Sequence, residues 1–543
     1  MNPFSILRQE NKFSILHSPF SILRKENKFS ILNSPFSILR KEKKFSILNS
    51  PFSIPQLFLH FVFCILLSFT LFSCSTSTKP ETGSLSGKVI LVNDTGDPAF
   101  DPVDYSGITV ALYNLAYLDT TIVRINNQYP QIGVQINQET EFDHRLQNPI
   151  VKVLTSNDGS FTLTNIPVGV YNLSIFKQGW SIIYRYSIDI VNNGNKNGKE
   201  IENILYTLYP VYELPSVVGS SFVFKSDHTY LALNDINILS NVDFEQNSKL
   251  LINPNKKANF HNNISYSGSD GFFYIDSGEN IYSTNMRNIS PYQSINIYKE
   301  GKVIINGLIL KNSIDGLVSY SDSLKLERSV FSHNKITAIY LNNGAGILND
   351  LLIHNNDNKG IFTNSSTIVS NSLFCSNNCG FIGLIGDLNI KNNYFVGNYL
   401  ATQPVSNNEV IIMNNCFDRN YSAIAATAST FVTANNNFYS NKRDIELHGL
   451  IGGGNDPCYP SVYHNNFYGD GYYVHCMGNN MYYGDSQYPA VGINQNYNFP
   501  NNYLKYAPNI NNIYDGNSEG ANFIYTVSFI PLLSNPIIGI GIY

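Results

Sequence analysis

The sequence predicts an all-β chain, with a small β-sandwich followed by a solenoid that fills the larger half. Three observations carry this. A large apolar residue followed three positions on by Asn recurs seven times between Ile309 and Phe438. The chain is poor in helix formers and rich in Asn, β-branched and aromatic residues, with 36 Tyr and 34 Phe against one Trp. From about Gly83, short alternating stretches are separated by turn-forming residues. Of the 543 residues only 14 % are charged and the net charge is −5, which provides no basic field for nucleic acid.

Residues 1–54 are tandem copies of a 16-residue unit, NPFSILRQENKFSILH and its near-duplicates, the fourth breaking at Pro55. Near-identity between copies points to recent duplication and not to packing. The segment reads either as an extended basic n-region or as a start assigned too far upstream. Residues 55–74 contain the apolar run LFLHFVFCILLSFTLFS and end in Leu71-Phe72-Ser73-Cys74, ahead of a Ser/Thr-rich linker, residues 75–83. This resembles a bacterial lipoprotein signal, with Phe72 standing where a small residue is usual. The resemblance implies that Cys74 is lipidated and that the chain is exported and anchored in a membrane, at the outer membrane or cell surface. An uncleaved transmembrane helix is the other reading of the same run.

Residues 84–212 carry the strands of the sandwich. Asn157-Asp158-Gly159 marks a tight hairpin between VKVLT and FTLTNI, and Phe161, Leu163 and Ile166 alternate inward. The phrase DGSFTLTNIPVGVYNLSI is similar to the carboxypeptidase regulatory-like domain, a prealbumin-type sandwich. The resemblance implies a spacer or interaction module.

Residues 213–543 form the solenoid. The apolar residues Ile309, Phe331, Ile353, Phe374, Phe395, Phe417 and Phe438 are 21 or 22 residues apart, each with Asn three positions on, from Asn312 and Asn334 to Asn441. An eighth copy, Phe467 with Asp470, follows a gap of 29. A second column runs Leu317, Ile339, Ile361, Ile382, Ile424, Ile445 and Val474, and Asn393, Asn415, Asn436 and Asn465 form a second amide column. In parallel coils at ~4.8 Å, inward amides bond along the column, so these Asn are structural. The phrases NNYFVGN, NNCFDRN and NNNFYSN resemble the right-handed parallel β-helix of the pectate-lyase-like group. That resemblance specifies a fold shared by lyases, hydrolases, adhesins and inert repeats.

Residues that break the pattern are the functional candidates. Asp387 and Glu409 each lie eight positions before the ladder Phe, so they stack on adjacent turns and would need a shared proton or a cation, Ca²⁺ being the one the lyase resemblance suggests. Arg419 and Lys391 are their cationic partners, Arg419 completing a catalytic set. Asp444, Glu446 and His448 alternate on one strand, and His333 and His354 read as surface residues. Tyr468, Tyr472, Tyr473, Tyr482 and Tyr483 either stack on sugar faces or cap the solenoid end. A disulfide Cys458–Cys476 would close the insertion between them. The expected function is a membrane-tethered surface protein that binds an extended carbohydrate without catalysis; the alternative is a polysaccharide lyase or glycoside hydrolase.

Overall fold

The computed structural model describes residues 81–542, apart from 193, 196–204, 270, 406–408, 428, 449–457, 478–493, 507–512 and 515–523. Cys74, the tandem repeats and the apolar run therefore lie outside the described residues. The chain is all-β, 52 % strand and 5 % helix, with a right-handed solenoid of about 11 turns preceded by a small sheet region.

That region is built from β1 (Thr82–Leu91), β2 (Thr109–Asn114), α1 (Thr120–Gln128), α2 (Gln138–Glu141), β3 (Val151–Leu154), β4 (Ser160–Pro167), β5 (Gly169–Phe176), β6 (Ile183–Val191), β7 (Gly194–Asn195) and β8 (Leu205–Leu208). Two sheets, ordered β4-β1-β8 and β3-β2-β5-β6-β7, share one core that includes Val89, Leu112, Phe161, Leu163, Leu173 and Tyr206. The 157–159 turn forms, with Ser156 N donating to Ser160 O at 3.0 Å and Gly159 at φ +85°. A Cβ on Gly159 would lie 2.0 Å from Val89 O, so only glycine fits. The flanking strands are not a hairpin, however. β3 pairs with β2 and β4 with β1, because the inward residues of β4 face the other sheet across the core.

In the solenoid each coil contributes three strands, for example 388–391, 394–396 and 400–404, each in parallel register with its counterparts above and below. Phe374, Phe395, Phe417, Phe438 and Phe467 stack at 4.5–5.2 Å between centroids. Each is fully buried, worth roughly 1.5–3 kcal/mol. The doubled asparagines divide two tasks. Asn392, Asn414 and Asn435 take the left-handed bend, at φ +56° to +57°, and the next residue turns inward. Asn393, Asn415, Asn436, Asn465 and Asn502 then form one amide ladder, Nδ2 to Oδ1 at 3.0–3.1 Å.

The first ladder begins one residue later than the spacing predicts. Phe331 pairs with Leu310, and Asn334 Oδ1 accepts from Ser313; Ile309 and Asn312 are displaced to the outer surface and the bend. In the second column Phe381 pairs with Ile361, in place of Ile382, since the chain between them is 20 residues long. Both shifts follow from bends that lose a residue.

Asp444 also departs from expectation. The strand register skips at this position, as at Gly316, Ala338, Gly360, Gly380, Ala401 and Ala423, and the skipped residue points into the core. Asp444 is 0 % exposed and accepts from Asn441 Nδ2 at 3.0 Å, terminating the first amide ladder. Burial pushes its carboxyl well above the usual carboxylate range, with the Asn441 bond offsetting part of this. A carboxyl raised by folding contributes most below its unfolded value and loses that contribution as pH rises through the folded one. Asp444→Asn keeps the acceptor without the ionisation. It should leave stability unchanged near pH 3 and raise it at pH 7 by at least about 1.4 kcal/mol for each tenfold weakening of the acid; denaturant titrations at both pH values measure this.

The segment between β2 and β3 docks on the solenoid. Asp119 caps α1 through Thr121 N at 2.7 Å, and an Asn137–Thr140 capping box starts α2. Ile122, Ile125, Ile132 and Ile136 pack against the outward residues Ile309, Val330, Leu352, Leu373 and Tyr394. Gly133, at φ +67°, donates to Asn371 O at 2.7 Å, and a Cβ there would lie 2.8 Å from Leu351 O. His354, expected on the surface, is fully buried here, its Nε2 3.4 Å from Glu141. His333, one turn earlier, stays exposed.

Candidate functional site

A charged cluster lies on the outward side of the strand Arg443–His448, which runs between Ser422–Thr427 and Tyr472–Met477, with Glu446 itself only 1 % exposed. Ile445 and Leu447 enter the core, so Glu446 and His448 project outward. Register brings Glu446 beside His475. The Glu446 carboxylate accepts from Ser422 Oγ at 2.7 Å and from the Arg443 guanidinium, with His448 Nε2 at 3.4 Å and His475 Nδ1 at 3.9 Å. Burial raises the Glu446 carboxyl, but His448, Ser422 and Arg443 outweigh it and hold the group at about 2. Burial and the Arg443 charge push the His475 imidazole down to about 4. At neutral pH the cluster therefore sets an anionic carboxylate beside a neutral imidazole, a pairing able to orient and accept protons.

Aromatic rings border it. Tyr399 stacks on Tyr421 at 4.5 Å, and Lys442 Nζ and Arg443 lie 4.6 and 5.0 Å from the Tyr421 centroid. Tyr421 thus has Tyr399 on one side and two cations beside its ring, while Tyr399 is 46 % exposed.

Asp387 and Glu409 do sit on adjacent coils, exposed, with Leu388 N donating to Glu409 O at 2.9 Å. Arg419 follows the strand Cys416–Asp418, two strands further along the coil, and is bonded through Nε to Asp418 at 3.3 Å. It thus occupies a different corner from the two carboxylates. Lys391 is exposed at the end of its strand. Among the described residues no three His, Cys, Asp or Glu side chains converge as metal ligands.

Tyr468 is half-buried and stacks on Tyr439 at 4.8 Å, and Tyr472 is half-buried against His475 at 5.1 Å. Tyr473 belongs to the core, its hydroxyl accepting from Tyr506 N at 3.0 Å. Tyr482 and Tyr483, and the Cys476 side chain, lie outside the described residues. Cys458 Sγ lies 3.4 Å from Ala426 O.

The alternation of Glu446 and His448 was legible in the sequence. His475 lies beyond the 29-residue gap and is reached only by carrying the apolar column across it. Setting Val474 on Ile445, as the apolar column requires, places His475 on Glu446.

These coils define the protein as a right-handed parallel β-helix with a carboxylate–imidazole–guanidinium cluster on its outer face. Compared with known protein families, curated proteins and solved structures, the chain matches none.

Proposed function

We propose that this chain is an exported surface protein, lipid-anchored through Cys74, with residues 84–212 serving as a prealbumin-type spacer, and that the outer face of its solenoid binds an extended carbohydrate. The observation that carries the binding reading is the Tyr399–Tyr421 stack with Lys442 and Arg443 beside it. The two hydroxyls repeat there at the coil spacing and Lys442 continues the column on the next coil, which suits a polymer lying along the axis. The carboxypeptidase regulatory-like pattern and the signal-like run ending in Cys74 support export and tethering.

A second reading, polysaccharide lyase or hydrolase, is favoured by the anionic Glu446 between His448 and His475. In this reading Glu446 has the role that the sequence suggests for Asp387, Glu409 and Arg419.

One experiment separates the two. The full chain is incubated with acidic and neutral polysaccharides, with and without Ca²⁺, and retention and new chain ends are both measured. Binding predicts retention without new ends, weakened about tenfold or more by Tyr421→Ala. Unsaturated or reducing ends that vanish in Glu446→Gln establish catalysis. Finding neither retention nor new ends with any polymer overturns both.

A further inference from the structure

A second site lies where the β2–β3 insertion meets the first solenoid coils, away from the Tyr399 face. Lys249 begins the strand Lys249–Ile252, whose Leu250 and Ile252 enter the core. Its side chain points outward yet is only 7 % exposed, covered by Tyr184 from the sandwich and Tyr274 from the next coil. The ammonium lies 5.6 and 5.4 Å from those two ring centroids and donates to Asn247 O at 3.2 Å. Among the described residues it makes no ion pair with a carboxylate.

Lys249 lines a recess of about 210 Å³ with Glu139, Arg185, Asp227 and the two tyrosines. Tyr274 donates to Glu139 at 2.8 Å, and Asn247 Nδ2 to Asp227 at 3.3 Å, leaving carboxylate lone pairs available on both acids. The smaller cavity of about 60 Å³ behind it shares Glu139, Tyr184 and Lys249.

We infer that this recess binds one neutral sugar unit. Two acids and two bases balance, so neither an anion nor a cation is favoured. Each hydroxyl of a polyol both donates and accepts, and the walls supply donors in Arg185 and Lys249 and acceptors in Glu139 and Asp227. A recess of about 210 Å³, open to solvent on one side, has room for a single pyranose. Burial also pushes the Lys249 ammonium down to about 8, and a hydroxyl bonded to it would relieve that strain on the charge.

The test is saturation-transfer NMR on the full chain with methyl glycosides of glucose, galactose, mannose and N-acetylglucosamine, and with methyl glucuronoside and glucosamine as charged comparisons. At least one neutral glycoside should bind, with a dissociation constant on the order of 1 mM. Asp227→Asn, at the half-buried rim, should weaken it tenfold or more with the melting temperature unchanged, and Lys249→Met should abolish it. If the latter fails to fold, the ¹³C-dimethylated Lys249 resonance in the native chain should shift on adding the glycoside. No transfer from any neutral glycoside, equal binding in Asp227→Asn, or stronger binding of a charged comparison overturns the inference. Polymer retention at the Tyr399 face is measured separately, so the two readings fail independently.

Discussion

Asn398→Ala should destabilise the solenoid by roughly 3–5 kcal/mol, although it removes only one amide. Asn398 is 2 % exposed. Its Nδ2 donates to Phe374 O, Val396 O and Asn420 Oδ1 at 3.1–3.3 Å, and its Oδ1 accepts from Asn377 N and Nδ2 at 3.0 and 3.1 Å. Truncation leaves the buried Asn377 N–H without its acceptor in a dry interior, at about 1–3 kcal/mol, and removes the side-chain bonds to Phe374 O, Val396 O and Asn420 Oδ1 as well. Coils in a solenoid contact only their neighbours, so the loss should be local. Hydrogen exchange should accelerate in the coils of Asn377 and Asn420 and stay unchanged near Phe244. Asn378→Ala, one residue beyond the ladder and exposed, should cost less than about 0.5 kcal/mol. Equal effects at the two positions would refute the ladder as a source of stability.

Arg145→Ala should cost about 3–5 kcal/mol and detach the insertion from the solenoid. The guanidinium, 4 % exposed, bonds Asp143 in a fork at 2.7–3.1 Å, Asp276 at 2.6 Å and Ser277 O at 2.6 Å. Asp143 comes from the sandwich insertion and Asp276 from a solenoid strand, so one cation joins the two layers. Burial raises the Asp143 carboxyl, but the adjacent Arg145 charge outweighs it and holds the acid at about 2. Burial and the Asp143 charge raise the Asp276 carboxyl.

Removing Arg145 leaves two carboxylates facing each other without a counter-ion. In the native protein the depressed Asp143 contributes stability above its unfolded value and loses it as pH falls towards about 2. In the variant that contribution is absent, so its deficit should be largest at pH 7 and shrink below about pH 4 as both acids are protonated. Limited proteolysis within residues 115–150 across that pH range reads the effect. A variant no more sensitive than the native chain would show that Ile122, Ile125 and their neighbours hold the insertion unaided.

Much of the architecture was legible because a parallel solenoid writes its period into the chain. Phe374 to Phe438 and Asn334 to Asn441 stack on themselves, so equal spacing in sequence becomes equal position in space. Equal spacing misplaces Ile309, Asn312 and Ile382, where a bend drops a residue and moves the next inward side chain by one place. Asp444 was assigned to the wrong face because the skipped register inverts the two-residue alternation at that point. Asp387 and Glu409 were correctly placed on adjacent coils, whereas Arg419 could not be placed across two intervening bends by spacing.

By itself, then, the sequence determined the strand content, the coil length, the columns of Phe and Asn, and the inward face of most strands, because these depend on neighbours at one fixed repeat. Only the tertiary structure decided that residues 115–150 cover the solenoid, that His354 and Lys249 are buried, and that Arg145 joins Asp143 to Asp276. The physical reason is separation. Asp143 and Asp276 are 133 residues apart and belong to no common repeat, so their meeting depends on how the outward face of one layer matches the apolar face of another.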